Sequence, residues 1–203
     1  IAGIVITASH NPPEYNGYKV YWEDGAQITP PHDKNILAEV AKITDFHDAL
    51  TMEKMDAQVA GLYNVIGSDM DDKYMAALKK QIIHPDMIKE VAKDIKIVYT
   101  PLHGTGSIPV QRVLKELGFE HVYPVPEDPK AFALALDLAK KVDADIVLAT
   151  DPDADRLGVY AKDTKTGEYV SFTGNMSGML ICEYILRERK ATGTLPENGA
   201  LVT

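Results

Sequence analysis

The stretch DIVLATDPDADR (residues 145–156) joins an apolar run to an acidic one. Its first five residues, DIVLA (145–149), have the composition of a strand that is buried on both faces of a sheet. IKIVY (95–99) is a second run of this kind, and HVYPV (121–125) between them is also strand-like. Helical patterns fill the two intervals, so strands and helices alternate along this part of the chain. This alternation predicts a parallel α/β sheet, because parallel neighbours need a crossover connection.

The two intervals carry their own signals for helix ends. The first opens with the turn TPLHGTGS (100–107), whose two glycines permit a tight connection from strand to helix. Apolar residues then recur at helical spacing until Gly118, a residue typical of the position just after a helix. In the second interval Asp128 and Pro129 predict a helix start, and the helix continues to Lys141.

The first part of the chain has shorter patterns. IVIT (4–7) and GYKVYW (17–22) have strand character, and DGAQI (24–28) predicts a turn into a further short strand, which would complete a hairpin. Two prolines, at 30 and 31, then predict the start of a helix. A polar stretch extends to about residue 67 and could hold a linker. The sequence therefore predicts a smaller region ahead of the α/β sheet.

Charge and composition narrow the class of function. Lys and Arg number 21 against 30 Asp and Glu, which gives a net charge of −9. This charge repels nucleic acid and anionic membrane surfaces, so neither is expected as a partner. No apolar run approaches the roughly 20 residues of a transmembrane helix and no signal peptide is recognisable, so the expected location is cytoplasmic. The single cysteine, Cys182, lies in an apolar helical run and is predicted to be a buried core thiol.

The acidic loop DPDADR (151–156) directly follows a buried strand. Open α/β sheets bind ligands in the crevice beyond the carboxyl ends of their strands, which is where this loop would lie. Asp151, Asp153 and Asp155 alternate along it, and three converging carboxylates can bind a hard cation such as Mg²⁺. The alternative is a solvated acidic turn. Mutual repulsion of three like charges favours the cation.

Two other types of acidic loop are possible after a strand. An EF-hand needs glycine at its sixth position and glutamate at its twelfth, but these positions hold Arg156 and Lys162, which excludes it. A phosphatase that forms a phosphoaspartate uses its first aspartate as the nucleophile. That alternative would leave the Ser-His motif near the start of the chain without a role.

The Ser-His motif is part of TASHNPPEYNGYK (7–19), which places Ser9 and His10 in a loop after the first strand. A serine needs a base or a charge nearby before it can act as a nucleophile. Adjacency in sequence gives little support for a hydrolase, because the members of a catalytic triad are neighbours in space. From the residues alone, Ser9 is as readily a turn or cap residue as a nucleophile.

Four segments together carry a family resemblance. TASHNP, the downstream NGYK, the TPLHGTG turn and the DPDADR loop resemble, in this order and separation, the α-D-phosphohexomutases, the phosphoglucomutase/phosphomannomutase family. The resemblance covers essentially the whole chain. YWEDGAQI is more similar to the phosphoglucomutase branch, with its phosphopentomutase-like relatives, than to the mannose branch. The resemblance implies three-layer α/β domains with mixed, largely parallel sheets.

The resemblance also implies roles for particular residues. Ser9 would be the phosphoserine, and His10 and Lys19 would lie near the transferred group. Mg²⁺ would be held by a phosphate oxygen on Ser9 and by the three loop aspartates. Arg156 would reach toward the phosphosugar, and glucose 1,6-bisphosphate would be the activator and intermediate. The residues that the resemblance places at the metal are Ser9, Asp151, Asp153 and Asp155.

A domain division follows from the same resemblance. Residues 1–45 would be the C-terminal part of the phosphoserine domain, residues 46–190 a second domain with the metal-binding loop, and residues 191–203 the start of a further domain. The strand-like runs at both ends lead us to expect a piece of a longer protein. The sugar-selecting loop and the C-terminal phosphate-binding loop of the family are absent from the sequence. The family also has a longer loop at VPEDPK (125–130), so the chain has either a deletion there or a segment missing between Glu127 and Asp128, and we favour the second interpretation.

The expected activity is that of a phosphoglucomutase, with a phosphosugar as the partner. Mannose or pentose phosphates are alternative substrates. A Mg²⁺-dependent phosphatase that uses an aspartate of the DPDADR loop is a different reaction on the same site. A cation-binding module without turnover, in which Ser9 merely ends a strand, is the alternative outside the enzymes.

Overall fold

The structure is a computed structural model that describes residues 2–125 and 131–201. The chain divides into two compact units, Ile1–Met70 and Asp71–Thr203. The helix start that was predicted at Asp128 and Pro129 lies outside the described residues, as does most of the VPEDPK segment. Within the part of the chain that the structure describes, no helix is both long enough and apolar enough to cross a membrane.

The first unit contains a two-stranded antiparallel sheet. Strand β1 (Gly3–Thr7) pairs with β2 (Gly17–Tyr21), and a short 3₁₀ turn (Pro13–Tyr15) lies in the loop between them. The further strand that was predicted after β2 is reduced to a single bridge between Tyr21 and Gln27. It cannot continue because Pro30 and Pro31 follow, and proline has no N–H to donate to a strand ladder.

The helices of the first unit are short and exposed. Helix α1 (His32–Val40) begins just after the two prolines, as predicted, and α2 (Lys54–Val59) follows a 3₁₀ turn at Phe46–Asp48. Of the residues described between 2 and 70, none is buried. The two ends of the loop between β1 and β2 are therefore held together by the backbone hydrogen bonds of these strands, without a buried core around them.

The second unit is built on a mixed five-stranded sheet. Its strands are β3 (Lys96–Thr100), β4 (His121–Pro124), β5 (Ile146–Thr150), β6 (Leu157–Lys162) and β7 (Tyr169–Phe172). Their order in the sheet is β4-β3-β5-β6-β7. Strands β4 and β5 both run parallel to β3, whereas β6 is antiparallel to β5 and β7 is antiparallel to β6. This confirms the α/β class with a mixed sheet. The first three strands were predicted, and the antiparallel pair was not.

Helices cover both faces of the parallel part of this sheet. Helix α5 (Ser107–Glu116) connects β3 to β4, and α6 (Ala131–Val142) connects β4 to β5. Because β4 and β5 lie on opposite sides of β3, right-handed crossovers place α5 and α6 on opposite faces. This gives helix, sheet and helix layers. The helices are α3 (Ser68–Lys79), α4 (Pro85–Val91), α5 (Ser107–Glu116), α6 (Ala131–Val142) and α7 (Gly174–Ala191).

The core lies where α6 packs on the parallel strands. Ala135 and Ala139 of α6 contact Val98 and Val147, and all four side chains are almost fully buried. Alanines allow the helix to approach the sheet closely, and burying the two valines stabilises the fold by about 1.5–3 kcal/mol each. On the other face, the buried hydroxyl of Tyr99 is hydrogen-bonded to the next strand. The tight packing fixes the carboxyl ends of β3 and β5.

One smaller prediction about α7 needs correction. Cys182 is half-buried rather than in the core, because it faces an open groove lined by Ile185 and Leu195. The cap of α7 is Thr173, whose hydroxyl oxygen accepts a hydrogen bond from the Met176 N–H at 3.3 Å. A threonine hydroxyl can satisfy a backbone N–H of the first helical turn.

Candidate active site

The acidic loop lies at the carboxyl end of β5, as predicted. Asp151, Asp153 and Asp155 each offer one carboxylate oxygen, and these three oxygens lie within 4.8 Å of one another. Ala154 has φ of 59°, and its N–H donates to the carbonyl of Asp151 at 2.9 Å. This tight turn folds the loop back on itself. The three carboxylates therefore converge instead of spreading into solvent.

The electrostatics of the cluster favour a cation. Asp151 is 8% exposed, and its carboxylate accepts a hydrogen bond from the Arg156 N–H at 3.1 Å. Burial raises the pKa of Asp151, and the nearby carboxyls of Asp153 and Asp155 raise this pKa further. A divalent cation would remove this penalty, because it neutralises the repulsion between the carboxylates. Mg²⁺ and Ca²⁺ both prefer oxygen ligands of this kind.

The TPLHGTG turn packs directly against the acidic loop. A Cβ atom on Gly104 would lie 2.4 Å from the Cα of Pro152, so only glycine fits at this backbone contact. Thr105 donates two hydrogen bonds to the Pro152 carbonyl, from its N–H at 2.9 Å and its hydroxyl at 3.2 Å. The contact of Thr105 with the acidic loop was not predicted from the sequence. It could have been inferred from the expectation that both loops follow parallel strands, because the carboxyl ends of such strands meet at one edge of the sheet.

The turn itself has an unusual backbone. Leu102 and His103 have φ of 46° and 64°, in the left-handed region that non-glycine residues rarely adopt. The Leu102 N–H donates to the Thr100 hydroxyl oxygen at 3.3 Å, and the Gly104 N–H donates to the Pro101 carbonyl at 2.9 Å. These bonds stabilise the turn in the conformation that brings it onto the acidic loop.

Arg156 closes the acidic loop with its side chain in solvent. The side chain is 63% exposed, and its Nε lies 4.0 Å from Asp155 Oδ1. A pair this long and this exposed contributes little to stability. The guanidinium is therefore available to an anionic ligand that approaches the carboxylates.

In the first unit, Ser9 lies in the loop after β1. Its φ is 54°, and its N–H donates to the Thr7 hydroxyl oxygen at 2.8 Å. Its Oγ lies 3.3 Å from Nδ1 of His10, and the Asn11 N–H closes the turn on the Ala8 carbonyl at 3.0 Å. The structure thus holds a half-buried serine hydroxyl beside an exposed imidazole.

Lys19 lies on β2, opposite Val5 of β1, and is half-buried. Side chains opposite each other in an antiparallel pair share one face, so Lys19 and Thr7 are on the same face of the two-stranded sheet. Ser9, His10 and Lys19 belong to the first unit. The three aspartates and Arg156 belong to the second.

Comparison with known proteins identifies the family. The model described as phosphoglucomutase/phosphomannomutase, alpha/beta/alpha domain I matches residues 1–47, and the model of domain II of the same family matches residues 72–166. The two matches together take in well over half of the chain. The chain belongs to the phosphoglucomutase/phosphomannomutase family. The resemblance of the four motifs is thereby confirmed.

Several curated relatives of the family are similar over most of this chain. A mouse glucose 1,6-bisphosphate synthase is 41% identical over 193 residues, which are 86% of this chain and 30% of that protein. A mouse phosphopentomutase is 39% identical over 198 residues, covering 89% of this chain and 31% of that protein. A Staphylococcus epidermidis phosphoglucomutase is 32% identical over 206 residues, or 92% and 36%. The chain thus spans about a third of the length of these relatives.

Solved structures of the family share the fold. A Thermus thermophilus protein assigned as a phosphomannomutase superposes with a TM-score of 0.66 at 25% identity, over 92% of this chain and 41% of that one. A Burkholderia thailandensis family member superposes with a TM-score of 0.58 at 23% identity, over 93% and 38%. The second likeness is informative about the fold alone.

Proposed function

We propose that the protein to which this chain belongs is a phosphohexomutase, with phosphoglucomutase activity. It would interconvert a hexose 1-phosphate and a hexose 6-phosphate through a phosphoserine and a bisphosphorylated sugar. The observation that carries the proposal is the convergence of Asp151, Asp153 and Asp155 at the end of β5 in a member of this family. The relatives are named for the phosphoglucomutase, phosphopentomutase and glucose 1,6-bisphosphate synthase activities.

We assign the phosphoserine to Ser9. Its left-handed backbone costs on the order of 1–3 kcal/mol, and such strained residues cluster at functional sites. The hydrogen bond from its N–H to the Thr7 hydroxyl oxygen holds the residue in this conformation. The half-buried Oγ beside the imidazole of His10 supports a role in group transfer.

The metal proposal concerns Mg²⁺. Asp151, Asp153 and Asp155 would hold it together with a phosphate oxygen of Ser9. The fit rests on three convergent carboxylates, one of them buried, which supply the negative charge and oxygen ligands that a hard cation prefers. Mg²⁺ bound there would neutralise negative charge that develops on the transferred phosphoryl group.

Three basic side chains would serve the sugar and the acceptor hydroxyl. The exposed guanidinium of Arg156 can donate paired hydrogen bonds to a phosphate of the sugar. His10 or Lys19 would accept the proton of the sugar hydroxyl as it attacks, since both are proposed to lie near the transferred group. The Arg156 guanidinium would also offset the net charge of −9 at the point where an anionic substrate must bind.

The proposed reaction has two half-reactions. In the first, the bond between phosphorus and Ser9 Oγ breaks as a bond forms between phosphorus and the free sugar hydroxyl oxygen, and the hydroxyl proton passes through His10 or Lys19 to the departing Ser9 Oγ. The bisphosphate then turns over in the site. In the second, its other phosphoryl group returns to Ser9 Oγ, and the proton returns to the oxygen that is released. The phosphoserine is regenerated, so no phosphate is consumed.

Glucose phosphates are the proposed substrates, with glucose 1,6-bisphosphate as intermediate and activator. The names of the mouse synthase and the bacterial phosphoglucomutase support a glucose phosphate as the substrate. The name of the mouse phosphopentomutase supports a pentose phosphate as the alternative. Formation of glucose 1,6-bisphosphate as the end product is a second candidate, which the similarity to the mouse synthase favours. A cytoplasmic location remains a prediction.

The replacement Ser9→Ala tests the phosphoserine in the complete protein. We expect conversion of glucose 1-phosphate to glucose 6-phosphate to fall on the order of 10³-fold or more, because the covalent route is lost. Ser171→Ala, which changes an exposed serine of β7, is the matched control and should retain activity. Wild-type turnover in Ser9→Ala would refute the mechanism. Release of inorganic phosphate that is insensitive to Ser9 would select the phosphatase alternative.

The same assay separates the two candidate products. A mutase produces glucose 6-phosphate and leaves the amount of bisphosphate constant. A synthase accumulates glucose 1,6-bisphosphate in proportion to a consumed phosphoryl donor. Cation binding without phosphoryl uptake under either condition would select the non-catalytic module.

A further inference from the structure

We propose that Thr105 is a positioning residue for the metal-binding carboxylates, and this inference rests on the proposed function. Thr105 lies outside the acidic loop, in the turn between β3 and α5. Its N–H and its hydroxyl both donate to the carbonyl oxygen of Pro152, at 2.9 Å and 3.2 Å. Pro152 is the residue between Asp151 and Asp153.

Two donors on one carbonyl oxygen fix the orientation of a peptide plane. The carbonyl of Pro152 and the N–H of Asp153 belong to the same planar unit, and the Cα of Asp153 lies at its end. An anchor on this carbonyl therefore limits where the Asp153 carboxylate can point. The two hydrogen bonds from Thr105 to Pro152, which we call the clamp, act at the midpoint of the loop, between two of the three proposed ligands.

Two other hydrogen bonds act within the loop. The Arg156 N–H holds the Asp151 carboxylate, and the Ala154 N–H holds the Asp151 carbonyl. These bonds shape the loop but do not attach it to the rest of the sheet. Thr105 connects the acidic loop to the turn that follows β3. The two meet because β3 and β5 are parallel neighbours, so their carboxyl ends lie side by side.

The glycines on either side of Thr105 allow the turn to approach the acidic loop closely. The backbone of Gly104 lies so close to Pro152 that a Cβ atom would come within 2.5 Å of the Pro152 carbonyl oxygen. Gly106, the next residue after Thr105, is also confined, since a Cβ atom there would lie 2.7 Å from the Thr150 hydroxyl oxygen. Glycines on both sides of Thr105 let its N–H and hydroxyl reach the acidic loop.

Loss of this clamp should weaken cation binding. Groups that hydrogen-bond to a ligand or its backbone commonly change metal affinity by about 10–100-fold when they are removed. In Thr105→Val the hydroxyl is lost, while the backbone N–H and the branched shape remain. Because one of two donors is kept, we expect an effect at the lower end, about a tenfold weaker affinity.

The test measures cation affinity directly and needs no enzyme activity. The chain is titrated with Mn²⁺, which suits oxygen-rich sites, and free Mn²⁺ is quantified by electron paramagnetic resonance before displacement with Mg²⁺. Thr105→Val should bind about tenfold more weakly, whereas Thr105→Ser, which keeps the hydroxyl, should stay within about twofold of wild type. Thr105→Ala is a second variant without the hydroxyl, and circular dichroism verifies its fold.

Thr192→Val is the matched control. Its hydroxyl also donates to a backbone carbonyl, that of Glu188 at 2.9 Å, but at the end of α7. It should leave the affinity and the spectrum of bound Mn²⁺ unchanged, whereas Thr105→Val should broaden the bound spectrum by loosening the ligand geometry.

The possible outcomes separate this inference from the proposed function. Equal affinities for wild type, Thr105→Val and Thr105→Ala, with loss of binding in Asp153→Asn, would overturn the role of Thr105 and leave the metal site standing. Equal weakening in Thr105→Val and Thr192→Val would show a general loss of stability and also overturn it. Failure of the wild type to bind Mn²⁺ or Mg²⁺ would overturn both proposals.

Discussion

The replacement Gly104→Ala should destabilise the second unit more than a typical surface substitution. The new Cβ would lie 2.4 Å from Pro152 Cα and 2.5 Å from its carbonyl oxygen, which are backbone atoms that cannot rotate away. The two loops would have to separate by about 1 Å, and overpacking of this kind costs about 1–3 kcal/mol. Separation also weakens the two hydrogen bonds from Thr105, each worth about 1 kcal/mol. The expected loss is about 2–4 kcal/mol in the free energy of unfolding, after a small gain from the less flexible unfolded chain.

Urea denaturation followed by far-UV circular dichroism measures this loss. Gly178→Ala is the matched control, because Gly178 lies within α7 and a Cβ there meets nothing within 4 Å. It should stabilise the chain by about 0.5–1 kcal/mol, since alanine favours helix over glycine. A Gly104→Ala chain whose stability stays within about 0.5 kcal/mol of wild type would refute the close contact between the two loops.

Three further substitutions test other parts of the structure. Hydrogen bonds from Lys79 and Arg112 lower the pKa of Glu116 below its ordinary 4.5. Glu116→Gln should therefore reduce the free energy of unfolding above pH 4.5, and this difference should disappear as the pH falls through the lowered pKa. A difference in urea unfolding that does not change with pH would contradict this. Tyr99→Phe leaves the buried Thr150 hydroxyl without its 2.9 Å partner and should lower the free energy of unfolding by about 1–3 kcal/mol, measured by urea unfolding; an unchanged value would show that the bond contributes nothing. Asp153→Asn should raise the Mg²⁺ concentration needed for half-maximal activity at least about tenfold, whereas Asp163→Asn, outside the cluster, should not; equal Mg²⁺ titrations would count against the site.

The parallel part of the fold could be predicted because its signals are local. DIVLA and IKIVY are continuous apolar runs, and β5 and β3 do lie in the interior of the sheet. The acidic loop was predicted to follow β5, and its three aspartates do converge. Continuous apolar runs and alternating carboxylates depend little on the rest of the chain, so sequence reasoning is effective for them.

The antiparallel part was missed because its strands are half-exposed. LGVYAK in β6 and YVSF in β7 mix polar and apolar residues, and no long apolar run marks them. Their pairing is set by the turn before Tyr169 and by contact with β5, which a local window does not contain. The clamp from Thr105 to Pro152 was missed for a similar reason. Forty-seven positions separate the two residues, and only the pairing of β3 with β5 brings them together.

The proposed mechanism requires that Ser9 carries a phosphoryl group whose transfer depends on the acidic loop. Peptide mass spectrometry after incubation of the protein with glucose 1,6-bisphosphate and Mg²⁺ detects this group. We predict one phosphoryl group on the peptide that contains Ser9, much less of it in Asp153→Asn, and none in Ser9→Ala. A Ser9 peptide that remains unmodified in the complete protein, or that is labelled equally in wild type and Asp153→Asn, would contradict the phosphoserine mechanism proposed here.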